Sequence, residues 1–96
     1  MKAAPVYHNE KVVGQRIFCP GCQCYHMFTT DPTSPVHWVF NGDPQKPTFT
    51  PSLMCNRDYP ESRCHSVITD GKIQFFSECY HSLKGQTVEL PDVEPW

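Results

Sequence analysis

A chain of 96 residues with ten prolines and a hydrophobic fraction of 39% has little apolar surface from which to build a core. Small domains of this kind often need a disulfide, a metal ion or a partner subunit for stability. The net charge of −2 comes without any run of basic residues, which argues against non-specific nucleic-acid binding. We therefore expect one domain over residues 1–96, with residues 1–10 and 92–96 loosely ordered.

The predicted cellular setting follows from the N-terminus and from the cysteines. Residues 1–8 contain no apolar core of a secretory signal, and no stretch approaches the roughly 18 apolar residues that span a membrane. These features predict a cytoplasmic protein without a membrane segment. In a reducing compartment, cysteines that occur in pairs are expected to bind metal rather than to form disulfides, and six cysteines are present.

Strand signals are short, and helix signals are nearly absent because proline, glycine or β-branched residues interrupt each candidate helix. A first strand is predicted over residues 14–18 and a second over 36–40, closed by the turn sequence Asn41-Gly42-Asp43. Residues 44–51 carry three prolines and predict an extended or edge segment. A last strand is predicted over residues 86–90.

The clearest element is a hairpin around Asp70-Gly71, a pair that favours a two-residue type I′ turn. The turn sets the register, which pairs Thr69 with Lys72, Ile68 with Ile73, Ser66 with Phe75 and Cys64 with Ser77. It also places Cys64 and Cys79 as diagonal neighbours at the open end of the hairpin. The predicted fold is mainly β: a small antiparallel sheet of short strands and hairpins, stapled by a zinc knuckle, with little or no helix.

The sequence Cys19-Pro20-Gly21-Cys22 has the spacing of a zinc knuckle, because two thiolates separated by a tight turn can bind one tetrahedral Zn²⁺. A redox role for this pair is disfavoured. Redox-active Cys-x-x-Cys pairs sit at a helix N-terminus. Residues 23–32 are rich in β-formers and end in proline, so they do not predict a helix. We therefore predict one structural zinc ion.

The remaining ligands are predicted to come from the hairpin and the segment after it. The first choice of ligands is Cys19, Cys22, Cys64 and Cys79, with His65 or His81 able to replace one of the later cysteines. Spacing alone does not choose among these, and Cys64 could instead be a core residue. Cys24 and Cys55 are predicted to be non-ligands, and His26 to be a surface residue or an outer partner of the site.

Several motifs resemble a small family of phage and prophage proteins of unknown function. They are the Cys-Pro-Gly-Cys element, Trp38 to Gly42, Pro47 to Ser52, and the two strings over residues 63–76 and 78–91. The resemblance covers roughly residues 17–91. This sequence departs from the family in having Glu78 where Asp is usual and Lys84 where Ala is usual.

The resemblance implies a phage or prophage origin. Some members of that family carry the label ammonia monooxygenase, which does not suit a chain of this size that has no membrane span and no oxygen-activating copper or iron site. We expect a non-enzymatic, zinc-binding interaction module whose partner is a host or phage protein, such as a host defence protein. The alternatives are a zinc-dependent hydrolase or nuclease, with Glu78 as the nearest acidic group, and a zinc module that binds nucleic acid.

Overall fold

The structure is a computed structural model that describes residues 1–94. Within this range the chain is all-β and contains no helix, so none that could cross a membrane. The strands are β1 (Ala4–His8), β2 (Lys11–Cys19), β3 (Cys24–Thr29), β4 (Val39–Phe40), β5 (Phe49–Cys55), β6 (Cys64–Thr69), β7 (Lys72–Phe75) and β8 (Thr87–Glu89). They form two antiparallel sheets, β1-β2-β3 and β4-β5-β6-β7-β8. The predicted fold class is confirmed, with two sheets in place of one.

The first sheet is a meander in which β2 lies between β1 and β3. Residues Asn9 and Glu10 form the β1–β2 turn, and both have positive φ, at 51° and 65°. The cysteine knuckle joins β2 to β3, so that Cys19 pairs with Cys24. β1 and β3 were not predicted, because neither has a clear alternation of apolar and polar residues. Residues 95 and 96, within the expected loose C-terminal segment, lie outside the described residues.

The predicted hairpin is present as β6 and β7. Asp70 and Gly71 have φ values of 51° and 78°, which is the pattern of a type I′ turn. Ser66 pairs with Phe75, Ile68 with Ile73 and Thr69 with Lys72, as predicted. On β6 the side chains of Cys64, Ser66 and Ile68 are buried, while His65, Val67 and Thr69 alternate with them on the outward face. The predicted C-terminal strand also forms, as β8 over Thr87–Glu89.

The proline-rich segment differs from its prediction. Residues Phe49–Cys55 form β5, an interior strand between β4 and β6, and not an edge strand. Pro51 is tolerated there because the pairing of β5 with β6 is irregular between Phe49 and Leu53, so no ladder hydrogen bond is demanded of it. The peptide bond between Thr50 and Pro51 is cis. The predicted strand over residues 36–40 shortens to Val39–Phe40.

Stacked aromatic rings join the two sheets. The ring of Phe49 on β5 lies 4.2 Å from that of Phe28 on β3 and 5.1 Å from that of Phe40 on β4, both nearly parallel. Trp38 packs edge-on against Phe28 at 5.3 Å. Phe28 and Phe49 are each only 1% exposed. Phe49 is therefore the residue through which the aromatic contacts of the two sheets meet.

Replacing Phe49 with alanine should remove this contact and leave a cavity between the sheets. We expect F49A to lower the free energy of unfolding by about 3–5 kcal/mol, measured by urea denaturation. Tyr59→Ala is the matched control, because Tyr59 is 60% exposed and its loss should change stability by less than about 0.5 kcal/mol. Equal effects of the two substitutions would contradict this account of the core.

Candidate functional site

The knuckle closes as a tight turn between β2 and β3. The Cys22 amide donates to Cys19 Sγ at 3.3 Å, and the Gln23 amide donates to the Cys19 carbonyl at 2.8 Å. Gln23 takes a positive φ of 57°, which turns the chain back into β3. An amide that donates to a sulfur stabilises the thiolate form, which is the form that binds metal.

Four side chains converge beneath this turn and can hold a metal ion. The ligand atoms of Cys19, Cys22, Cys64 and His81 all lie within 4.8 Å of one another. Tetrahedral Zn²⁺ with bonds of about 2.3 Å to sulfur places its ligands about 3.7 Å apart, so only small side-chain movements separate this cluster from a closed site. The four residues come from the end of β2, the β2–β3 turn, the start of β6, and the β7–β8 loop (residues 76–86).

His81 reaches the cluster because residue 21 is glycine. A Cβ atom on Gly21 would lie 2.2–2.6 Å from the His81 ring, far closer than any real contact. The ring therefore occupies space that a side chain would otherwise fill. Phe75 holds the other side of the ring in an edge-to-face contact at 4.4 Å. His81 Nε2 then lies 3.5 Å from Cys64 Sγ.

The electrostatics of the cluster are those of thiols that compete for protons. Hydrogen bonding with the Cys64 thiol lowers the pKa of Cys19 to about 3, against the opposing effect of burial. The same hydrogen bond, together with burial, raises the pKa of Cys64 well above its usual range. Burial also raises the pKa of Cys22 and lowers that of His81. A divalent cation would take the place of the protons that these groups share, and its binding would release them.

Two further observations fit the cluster to a metal. Three sulfurs and one imidazole nitrogen are the donor set of a closed structural site. Within residues 1–94, the buried Nδ1 of His81 has no hydrogen-bond partner, so the ring is not held there by a competing polar contact. The Cys/His cluster is therefore a candidate metal centre, with a composition that differs from the first-choice set of four cysteines.

The remaining cysteines and His26 surround this centre. Cys24 is exposed at the start of β3, and Cys55 lies at the end of β5, paired with Cys64. His26 Nδ1 is 4.0 Å from Cys55 Sγ. Burial alone would lower the pKa of His26, but hydrogen bonds to Cys19 and Cys55 outweigh it and raise the pKa to about 11. His26 is thus an outer partner of the centre.

The structure places Cys79 and His65 apart from these four residues. Cys79 is buried, but its Sγ accepts a hydrogen bond from the His65 amide at 3.2 Å and donates one to the His65 carbonyl at 3.1 Å. The His65 side chain points to the opposite face of β6 from Cys64. Cys79 thus holds the backbone of His65, and the assignment of either residue as a ligand stays a prediction.

On that opposite face, His65 lies between a hydroxyl and a carboxylate. Its Nε2 is 3.1 Å from Ser52 Oγ, and its Nδ1 is hydrogen-bonded to Glu78 Oε1. A serine, a histidine and an acid in this order are the arrangement that activates a serine nucleophile, because the acid orients the ring and the ring accepts the hydroxyl proton. The three residues form a Ser–His–Glu triad.

Each member of the triad owes its position to a particular element. Ser52 lies on β5 two residues before Met54, which pairs with His65, so Ser52 and His65 are diagonal neighbours on the same face of the β5–β6 pair. Phe76 stacks on the His65 ring at 4.3 Å with a tilt of 35°. Glu78 follows in the β7–β8 loop. The side chains of His65 and Glu78 are 23% and 41% exposed, so both can be reached from solvent.

Sequence reasoning did not recognise this triad. Ser52 follows the proline-rich segment predicted over residues 44–51 and has no role in the sequence-based prediction, which makes His65 a candidate metal ligand and Glu78 an acid near a metal. No local motif such as Gly-x-Ser-x-Gly marks the nucleophile. The one available signal was that His65 lies on the outward face of the predicted hairpin, opposite to Cys64, which separates it from a site beneath the sheet.

The family comparison agrees with the triad. A family model described as "Bacterial ubiquitination-like system serine protease (BubE)" matches residues 2–76. The chain belongs to the BubE family. Ser52 and His65 lie within the matched residues, whereas Glu78 and His81 lie just beyond them, so their assignment depends on geometry alone.

Membership of the BubE family corrects the functional expectation. The chain was expected to be a non-enzymatic interaction module from a phage, and that expectation is wrong because the family is one of serine proteases. The physical reason for the error is that the three residues come from β5, β6 and the β7–β8 loop, and none of these segments carries a catalytic motif. The phage or prophage origin stays a prediction. No curated protein and no solved structure matches this BubE chain.

The contact between Gly21 and His81 predicts the effect of a single methyl group. Gly21→Ala should displace the His81 ring and weaken metal binding by about 10- to 100-fold, measured with added Zn²⁺ by competition with a chromophoric chelator. His81→Ala supplies the control background. If the clash with the ring is the cause, Gly21→Ala should weaken binding little further in H81A, whereas full additivity would contradict the proposed contact.

Proposed function

We propose that this chain is a serine peptidase in which Ser52 is the nucleophile, His65 the general base and Glu78 the residue that orients His65. The observation that carries the proposal is the hydrogen-bonded order Ser52 Oγ, His65 Nε2, His65 Nδ1 and Glu78 Oε1. The serine protease description of the family supports the same reaction class.

The first half of the reaction forms an acyl-enzyme. Ser52 Oγ attacks the carbonyl carbon of the scissile bond while its proton passes to His65 Nε2, 3.1 Å away. Glu78 accepts the Nδ1–H hydrogen bond, which fixes the tautomer whose Nε2 lone pair faces the hydroxyl. The carboxylate also stabilises the imidazolium that forms. The proton on Nε2 is then donated to the leaving amine as the C–N bond breaks.

In the second half, water replaces the amine. His65 Nε2 accepts a proton from the water molecule as its oxygen attacks the acyl carbon, and it returns that proton to Ser52 Oγ. Phe76 limits the movement of the imidazole through both steps because its ring lies against one face of His65. The residues thus return to their starting protonation states.

The surroundings of the triad favour an extended segment of a protein as the substrate. Ser52 and His65 lie on the outward face of the five-stranded sheet and not in a deep pocket. The next outward residue of β6, Val67, lines a groove of about 240 Å³ together with Gln74 and Thr87. A flexible chain end can lie along such a face, where a compact domain cannot present its backbone. We propose that the substrate is a protein that a ubiquitination-like system joins or processes, cleaved at a peptide or isopeptide bond.

We further propose that the ion held by Cys19, Cys22, Cys64 and His81 is a single Zn²⁺. The S₃N donor set, the short Cys-Pro-Gly-Cys turn and the burial of three of the four ligands support this metal. Four protein ligands close the coordination shell, so the ion supplies structural cross-linking between the two sheets when bound.

Loss of the Ser52 hydroxyl should abolish the chemistry without unfolding the protein. We expect wild-type protein to react with a fluorophosphonate probe at Ser52, with the labelled residue identified by mass spectrometry, and Ser52→Ala not to react. Ser62→Ala, a serine in the adjacent β5–β6 loop, should react like wild type. Labelling of S52A at the wild-type rate would refute the assignment.

The role of Glu78 in orienting His65 can be distinguished from a general effect of losing one negative charge at the surface. Glu78→Gln keeps the shape of the side chain but removes the carboxylate that holds the Nδ1–H tautomer, so labelling should slow by about 10²- to 10⁴-fold. Glu61→Gln makes the same charge change at an exposed position in the β5–β6 loop and should leave the rate unchanged. Equal rates in E78Q and E61Q would remove Glu78 from the triad.

A further inference from the structure

The candidate metal centre and the triad are built on the same two segments. Cys64, a ligand in the cluster, is followed directly by His65, the base of the triad. In the β7–β8 loop, Glu78 belongs to the triad and His81, three residues later, belongs to the cluster. Each segment therefore carries one residue of each site.

The β7–β8 loop carries Glu78 but has no strand pairing at that residue. Residues 76–86 lie outside the ladder between β7 and β8, but the loop begins against β6, where the Phe76 amide donates to the His65 carbonyl at 3.0 Å. The hydrogen bond between Glu78 and His65 is itself partly exposed, and exposed contacts of this kind hold a loop only weakly. The Glu78 carboxylate is therefore positioned from both sides, by Phe76 before it and by the buried residues that follow it.

After Glu78, the loop is anchored by two buried residues, Cys79 and His81. Cys79 is bound to the His65 backbone through its sulfur, and the amide of Tyr80 donates to the Arg63 carbonyl at 2.9 Å. His81 lies against Gly21 and the cysteine cluster. The chain from 79 to 81 is thus held between β6 and the knuckle, and a cation bound by His81 and Cys64 would tie its far end to the strand that carries the catalytic base.

We propose that cation binding at the cluster of Cys19, Cys22, Cys64 and His81 positions Glu78 against His65, so that zinc occupancy switches the Ser52 nucleophile between an active and a slow form. This inference rests on the proposed serine peptidase function. The metal takes no part in the bond changes. It acts by holding His81, three residues after Glu78 in the same loop. A misplacement of a catalytic group by about 1 Å can cost about 100-fold in rate.

The test uses the full chain with and without its metal. Zinc would be removed with a strong chelator, its loss measured by elemental analysis, and the rate of fluorophosphonate labelling compared before and after. We expect the metal-free protein to keep the far-UV circular dichroism of its sheets and to label about 100-fold more slowly. One equivalent of Zn²⁺ should restore the rate.

A second readout follows the His65–Glu78 contact without any chemistry at Ser52. The proton on His65 Nδ1 should give a low-field NMR resonance in the zinc-loaded protein, because it is shared with a carboxylate. We expect this resonance to disappear on metal removal and to return with Zn²⁺. Its persistence in the metal-free protein would overturn the proposal.

Variants locate the coupling. Cys22→Ser removes a ligand on the knuckle, which belongs to neither triad segment, and should slow labelling as chelation does. Cys24→Ser changes an exposed cysteine two residues away and should leave the labelling rate unchanged. If the metal acts through Glu78, chelation should have little further effect in Glu78→Gln.

Three outcomes would overturn the coupling. The first is unchanged labelling of folded, metal-free protein, and the second is a slowing of labelling on chelation that is as large in E78Q as in wild type. The third is the collapse of both sheets on chelation. The last would make the ion a staple of the whole fold. If zinc-loaded wild type labels no faster than Ser52→Ala, the proposed peptidase function fails instead, and the NMR comparison still decides whether the metal positions Glu78.

Discussion

The alternation of side chains at the start of β6 is the constraint on which both sites depend. Because successive residues of a strand point to opposite faces, Cys64 lies in the interior with 1% exposure, while His65 lies on the outward face. A one-residue shift of register would exchange them and place the base in the core and the thiol in solvent. The type I′ turn at Asp70-Gly71 fixes that register from the other end of the strand.

A thin core explains why a metal centre would sit at this place. The aromatic contact between Phe28 and Phe49 joins the sheets through β3 and β5. The knuckle meets the second sheet at Cys64, the first residue of β6. Without a cation, burial and mutual repulsion keep the three thiols of this cluster from all ionising at once. A bound cation would turn the same four side chains into a second link between the sheets.

The sequence predicted those features that short-range chemistry determines. Asp70-Gly71 fixed the hairpin and its faces, and Cys-Pro-Gly-Cys located the knuckle, because each depends on neighbouring residues. The choice between Cys79 and His81 depended on Gly21, 60 positions away from His81, leaving room for a ring. Ser52 was missed because its place in β5 requires a strand interrupted by Pro51, which local rules assign to an edge.

Past that interruption, regular pairing places Ser52 beside His65. Met54 pairs with His65, so Ser52, two residues earlier on β5, shares the face of His65 and is its diagonal neighbour. The Ser52 hydroxyl lies 3.1 Å from His65 Nε2 across the β5–β6 pair. The proposed nucleophile is therefore presented from a strand and not from a helix N-terminus. The elements that remain to be held in place are His65 and the loop that carries Glu78, both of which border the candidate metal centre.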